Sequence, residues 1–146
     1  MSDKLLKFSK TINIDGRIIG ANQPTYIIAE AGVSHLGEKQ NLDPLIKMSI
    51  DAKVDAFKTQ HFYTEKFISK KDKDWFSRIS QKEVEDSAIK YARDLCIENN
   101  LTFLCTPHHE EVLNFLVNEI KISAIKVGSG ELGNFPFLKK IALTKK

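Results

Sequence analysis

From Thr25 onward the chain repeats one pattern four times: a short apolar run that ends among polar residues, then a segment with apolar side chains every three or four positions. The runs are "TYIIAEAGV", "VDAFKTQHF", "LTFLCTP" and "AIKVGSGE". Each is too short for a buried helix and too continuously apolar for a sheet with one wet face, so each reads as a strand covered on both sides. The segments between them are amphipathic. Leu42, Leu45, Ile46, Ser49 and Ile50 mark a helix from Asn41 to about Lys53, with Pro44 tolerated in its first turn. Ala88, Tyr91, Ala92, Leu95 and Cys96 mark another between Lys82 and Asn99, stopped by Asn99-Asn100. "EEVLNFLVNEI" gives a third, and a fourth begins at Phe135 and runs to about Leu143. Between Tyr63 and Gln81 the charged stretch around "SKKDKDWF" reads as a long loop holding one helical turn.

Strand and helix in alternation predict an α/β fold with a parallel sheet. An open doubly wound sheet and a (β/α)8 TIM barrel both fit that order. An open sheet concentrates its polar residues after one strand; here Glu30, then Lys58 and Gln60, then Thr106, then Lys126 to Glu131 close all four strands. Barrel enzymes gather their sites from several strand ends in this way, so the barrel is expected. A barrel of this type takes about 250 residues. The 146 residues here correspond to its first four βα units, over residues 25–146. Half a barrel leaves open sheet edges, and the ending "IALTKK" carries no helix stop, which reads as truncation or as a chain completed by association. Ahead of the barrel, residues 1–24 alternate apolar and polar around Asp15-Gly16, the signal of a hairpin flap.

Composition excludes several classes. With 42% hydrophobic and 28% charged residues the chain can bury a core, and disorder is not expected. A net charge of +3, spread along the sequence, is too mild for a nucleic-acid footprint. No apolar run approaches the roughly 18 residues that span a bilayer, and "MSDKLLKFSK" lacks the apolar stretch of a signal peptide, so no membrane contact and a cytoplasmic location are expected. Cys96 and Cys105 lack metal-ligand spacing and read as small buried hydrophobes.

The strand ends carry the chemistry. Gly128 and Gly130 let the backbone approach a ligand, Ser129 adds a hydroxyl and Lys126 a point charge suited to phosphate. Lys58 and Gln60, two residues apart on a strand, share a face. Two lysines at one mouth point to an anionic substrate; alternatively they are paired with Glu30 and Glu131 as buried ion pairs. Glu30 is placed to act as acid, base or hydroxyl acceptor. His35, beside Gly37, reads equally as a loop support or a catalytic group, while His61, His108 and His109 have no partner at metal-ligand spacing. The His108-His109 pair is expected to open a helix with its side chains diverging.

In order and spacing, "YIIAEAGVSHLGE", "AFKTQHF", "FLCTP" and "AIKVGSGELGNFPFL" resemble the successive strand ends of the N-acetylneuraminate (sialic acid) synthase family, which includes the pseudaminic and legionaminic acid synthases. The resemblance runs from Tyr26 to Lys146. It implies a TIM barrel that condenses phosphoenolpyruvate with an open-chain N-acyl hexosamine such as N-acetylmannosamine, releases phosphate, and uses a divalent metal, Mn or Mg. Carried over residue by residue, Lys58, Thr106, Lys126 and Ser129 match the phosphoenolpyruvate positions, and Glu30, Gln60 and Glu131 line the reacting centre. The family's metal-binding histidines and its antifreeze-like domain lie beyond these four segments, so no metal ligands are expected in this chain, and a homodimer is implied. Departures are Ser34 in place of the usual Asn before His35, Cys105 in place of a common serine, and Thr59 and His61 around Gln60. They bear on sugar specificity. The other readings are a non-catalytic half-barrel assembly protein and another phosphoenolpyruvate-using 3-deoxy-sugar-acid synthase.

Overall fold

The computed structural model of the chain describes residues 9–146. Two strands, β1 (Thr11–Ile14) and β2 (Arg17–Gly20), form an antiparallel hairpin. Its turn residues Asp15 and Gly16 both have positive φ, 49° and 85°, the geometry that lets a two-residue turn follow the strand twist. The main sheet is parallel, in the order β3 (Ile28–Gly32), β4 (Ala56–His61), β5 (Thr102–Pro107). Between β3 and β4 lies α1 (Leu42–Asp51); between β4 and β5 lie α2 (Thr64–Phe67), α3 (Lys73–Ser80) and α4 (Asp86–Glu98). After β5 come α5 (Glu110–Asn118), a 3-10 turn at Ser129–Glu131, and α6 (Phe135–Leu143).

Each strand has one face against the helices. Ala31, Phe57, Phe103 and Cys105 point that way and meet Leu42 and Ile46 of α1, Ala88, Ile89, Ala92 and Cys96 of α4, and Val112, Phe115 and Leu116 of α5 in one continuous core. Residues in the left-handed region end two of the helices: Lys53 (φ 54°) follows α1 and Asn100 (φ 55°) follows α4. A second small cluster packs Phe137 and Ile141 of α6 on Leu113 of α5. Both cysteines are buried and free, and burial pushes the Cys96 thiol up to about 12.

Two expectations need correction. The fourth run, Ala124–Glu131, is not a strand: Ile125 makes a single parallel bridge to Cys105, and the chain then turns into the 3-10 segment. It lies along the side of β5 away from β4, with no ladder beyond that bridge, and the sheet of this chain is not closed. The observed architecture is therefore an α/β fold with three parallel strands and a bridged fourth segment. The second correction concerns the charged stretch after β4, which holds two helices instead of one turn. Asp72 caps α3 by accepting from the Trp75 amide at 3.0 Å, and Ile79 buries its apolar face.

The hairpin is tied to the N-terminal ends of the strands. Arg17 pairs with Asp55, just before β4, at 2.8 Å, and Ser123 donates to Asp15. The same Asp55 carboxylate accepts from the Ile27 amide at 2.7 Å, ahead of β3. The opposite, C-terminal ends of the strands are left to the polar residues. No helix of the described residues is long and apolar enough to cross a membrane.

Candidate active site at the strand ends

Alternation along β4 decides where each side chain goes. Phe57, Thr59 and His61 face the helices, so Lys58 and Gln60 face the other side together. Register puts Glu30 opposite Lys58 and Thr106 opposite Gln60, bringing the inner residues of three strands to one surface. Between Glu30 and Gly32 the β3 register slips, leaving Ala31 as an extra residue. Gly32 takes φ 56° there, and the Thr59 hydroxyl donates to its carbonyl at 2.8 Å. Such irregularities re-aim side chains beside sites. At this one Glu30 and Gln60 converge: a Cβ on Gly32 would stand 3.5 Å from Glu30 Oε1 and 3.6 Å from Gln60 Nε2.

Lys58 has only 7% of its side chain exposed and forms an ion pair with Glu30, whose side chain is 45% exposed. The buried cation is thus neutralised from the solvent side, and an entering anion would compete with a carboxylate that water can take back. Thr106 is buried, and its hydroxyl has no hydrogen-bond partner. An orphaned buried hydroxyl costs free energy unless something completes it.

The segment after β5 closes over this surface. Gly128 lies against Thr106 and His108, each 3.5 Å from where its Cβ would be. Lys126 is exposed and makes no ion pair among the described residues. Ser129 is exposed at the start of the 3-10 turn. Glu131, partly buried, accepts from the Asn134 side-chain amide at 2.8 Å, while Asn134 in turn caps α6 by accepting from the Phe137 amide at 3.3 Å. Of the two expected ion pairs, Lys58 with Glu30 is present; Glu131 is engaged by Asn134 instead of Lys126. All seven candidate residues therefore lie on the C-terminal ends of the strands or on the segment that follows β5, Ser129 and Lys126 at its outer margin.

His108 belongs to the same surface and was not singled out from the sequence. Its Nε2 lies 3.2 Å from Gln60 Oε1, and burial lowers its pKa, with Glu131 opposing and His109, Lys58 and Lys126 reinforcing. The signal available was its place two residues after Thr106, at a strand end. His108 and His109 do diverge: His109 turns the other way, accepting from the Tyr63 amide at 3.0 Å, and stands at the start of α5. His35 is fully buried, accepting at Nδ1 from the Gly37 amide at 3.2 Å, while its carbonyl accepts from Asn41 at 3.0 Å. That makes it a loop support. His61 is also buried, bonded to Asp86 at 2.8 Å, and Tyr63 donates to the same carboxylate at 3.0 Å. Burial, and next the hydrogen bond to the charged Asp86 carboxylate, raise the Tyr63 phenol to about 12. This trio pins β4 to the start of α4 on the helix side of the sheet.

The profile of the NeuB family matches residues 45–146. The chain belongs to the NeuB family. It is 33% identical over 135 residues to the N,N'-diacetyllegionaminic acid synthase of Campylobacter jejuni, covering 84% of this chain and 40% of that protein. With the human N-acetylneuraminate-9-phosphate synthase it shares 30% identity over 140 residues, 87% of this chain and 38% of the relative. Among solved structures, the N-acetylneuraminic acid (sialic acid) synthetase of Leptospira borgpetersenii, in complex with citrate, superposes with a TM-score of 0.87 at 28% identity. That alignment covers 93% of this chain and 47% of the synthetase. The chain spans about 40% of the length of the curated relatives it matches.

Proposed function

We propose that this NeuB-family chain supplies the phosphoenolpyruvate-binding half of a sialic-acid-type synthase, which joins phosphoenolpyruvate to an N-acyl hexosamine and releases phosphate. The observation that carries the reading is the orphaned Thr106 hydroxyl, buried at the mouth it shares with Lys58, Gln60 and the Lys126 segment. A hydroxyl donor and two ammonium groups around one mouth form an electrostatic cradle for a phosphorylated carboxylate. The family membership and the Leptospira synthetase, a relative solved with a polycarboxylate, agree with it.

In this reading Lys58, Thr106, Lys126 and Ser129 hold the phosphate and carboxylate of phosphoenolpyruvate. An anion arriving at Lys58 displaces Glu30, and that carboxylate, on the exposed side of the pair, becomes free to accept a proton. C3 of phosphoenolpyruvate forms the new bond to the sugar's aldehyde carbon, and the aldehyde oxygen takes a proton and becomes a hydroxyl. Water adds at C2, one of its protons passing to Glu30 and on to the new hydroxyl. The C–O bond to phosphate then breaks, the remaining C2 hydroxyl proton leaves with the phosphate, and the keto acid is left. Gln60 and Glu131 line the space for the sugar. The completed barrel, the homodimer and the choice of an N-acetylmannosamine-like sugar are parts of the same proposal.

A divalent ion would polarise the aldehyde. Among the described residues no group of three or more His, Cys, Asp or Glu side chains converges to hold one. In this proposal the remainder of the barrel supplies its ligands.

The structural alternative, a half-barrel whose lysines are merely paired, accounts for Lys58 with Glu30 but leaves the Thr106 hydroxyl and Lys126 without a role. Calorimetry with phosphoenolpyruvate separates the two, run on this chain alone and on the chain extended to the length of its relatives. Binding that Lys126→Ala weakens is the expected outcome. No binding in the extended protein, or binding indifferent to Lys126→Ala, overturns the proposal.

A further inference from the structure

We propose that His108 is a positioning residue: its Nε2–H holds the Gln60 side-chain amide in one orientation, so that the amide nitrogen and not the carbonyl faces Glu30 across the mouth. The inference rests on the reading of Gln60 as part of the reacting centre and goes beyond it, since it assigns a role to a residue outside the seven candidates.

The chain of contacts is short. His108 Nε2 stands 3.2 Å from Gln60 Oε1. A carboxamide oxygen only accepts, so the ring nitrogen must carry the proton. At the far end of the same amide, Nε2 of Gln60 lies with Glu30 Oε1 around the open side of Gly32, 3.6 and 3.5 Å from where a Cβ would stand. A flipped amide would turn its carbonyl toward a carboxylate, which is repulsive, and its NH2 toward His108 Nε2, which could then only accept. The Glu30 end thus selects the orientation, and the Nε2–H tautomer of His108 holds it.

His108 is held firmly enough to impose it. Its ring lies 4.3 Å from that of Phe67 at 34°, and 6.0 Å from that of Phe62 at 73°. Gly128 also lies against the ring, with a Cβ position 3.5 Å from His108 Cε1. Burial disfavours the charged ring, and the charged or titratable groups that act on it are Glu131, His109, Lys58 and Lys126. With the proton on Nε2, Nδ1 is left as an acceptor that no described residue uses. Protonation of Nδ1 would leave the Nε2–H and its bond to Gln60 intact, so the tether persists on both sides of the titration while the charge beside the cradle changes.

Nitrogen-15 NMR of the imidazole, together with steady-state kinetics of the chain extended to the length of its relatives, tests this. Neutral His108 is expected as the Nε2–H tautomer; the Nδ1–H tautomer overturns the inference without reference to activity. His108→Phe keeps the aromatic contact with Phe67 and removes the donor. It should lower kcat/KM for an N-acyl hexosamine roughly tenfold, the size of one buried hydrogen bond, while leaving phosphoenolpyruvate affinity within about twofold. His108→Gln, whose amide nitrogen reaches close to the Nε2 position, should recover most of the loss. In a Gln60→Ala background His108→Phe should have no further effect, because a tether with nothing to hold is silent. Equal effects in both backgrounds, or a loss of phosphoenolpyruvate affinity matching the loss on the sugar, overturn the positioning role. If the unaltered protein binds no phosphoenolpyruvate, the functional reading fails, and the tautomer alone then decides whether His108 orients Gln60.

Discussion

The two faces of β4 meet different surroundings, the helices on one side and the strand-end mouth on the other. Phe57, Thr59 and His61 turn toward α1, α4 and α5, where Phe57 joins the apolar core and His61 is pinned by Asp86. Lys58 and Gln60, interleaved with them, turn toward the mouth, where Lys58 meets Glu30 and Gln60 meets His108. A period of two lets one strand serve both stability and chemistry, provided the faces stay separable. Substitutions on the helix side should then change folding, and those at the mouth should change binding with little effect on folding.

Phe57→Ala should show the largest effect. Phe57 is 1% exposed, and its truncation should cost about 3–5 kcal/mol in denaturant melts. A loss under about 1 kcal/mol would mean that the helix face is not the source of stability. Lys126→Ala comes next and breaks the comparison from the other side. Lys126 is exposed, so the melt should be unchanged, while phosphoenolpyruvate affinity falls about tenfold or more, as for the loss of a charge-assisted contact.

Acid should act on both faces. His35 and His61 on the structural side and His108 at the mouth all have pKa values lowered mainly by burial. An unfolded imidazole titrates near about 6.5, so the unfolded chain takes up protons first as the pH falls. The contribution of these groups is full above about pH 6.5 and is lost as the pH drops through their lower folded values. Thermal melts should therefore fall steadily from about pH 7 to pH 5, and His61→Gln should flatten the slope. A melting temperature that rises over that interval contradicts the buried neutral state. The smallest effect is expected at the hairpin end: Arg17→Ala removes a partly exposed ion pair with Asp55 and should cost under about 1 kcal/mol, with no change in ligand binding.

How much of this was legible in the sequence follows from which forces are local. Asp15-Gly16 announces its turn because two positive φ angles are required there, and the helix read from Phe135 to about Leu143 is present as α6. Strand ends were legible because a polar residue closing an apolar run has few places to go, and the resemblance to the synthases then placed seven residues at one mouth. Ala124–Glu131 misled because its lead-in has the composition of a strand, while only Ile125 pairs with β5 before the chain turns into the 3-10 segment at Ser129. The helix Lys73–Ser80 was hidden by charge: its single buried residue, Ile79, gives little periodic signal, and the Asp72 cap is what defines its start. His108 could not be distinguished from His109 by spacing. Only the pairing of β4 with β5 brings it to Gln60, 48 positions earlier.

The central claim is that the C-terminal ends of β3, β4 and β5, and not the hairpin end, receive phosphoenolpyruvate. Adding it to nitrogen-15-labelled protein and following the backbone amides tests this most directly. The account expects shifts at Lys58, Thr106, Lys126 and Ser129, with Thr11 to Gly20 unmoved. Shifts centred on the hairpin, or none at the strand ends in protein shown by calorimetry to bind, would contradict it.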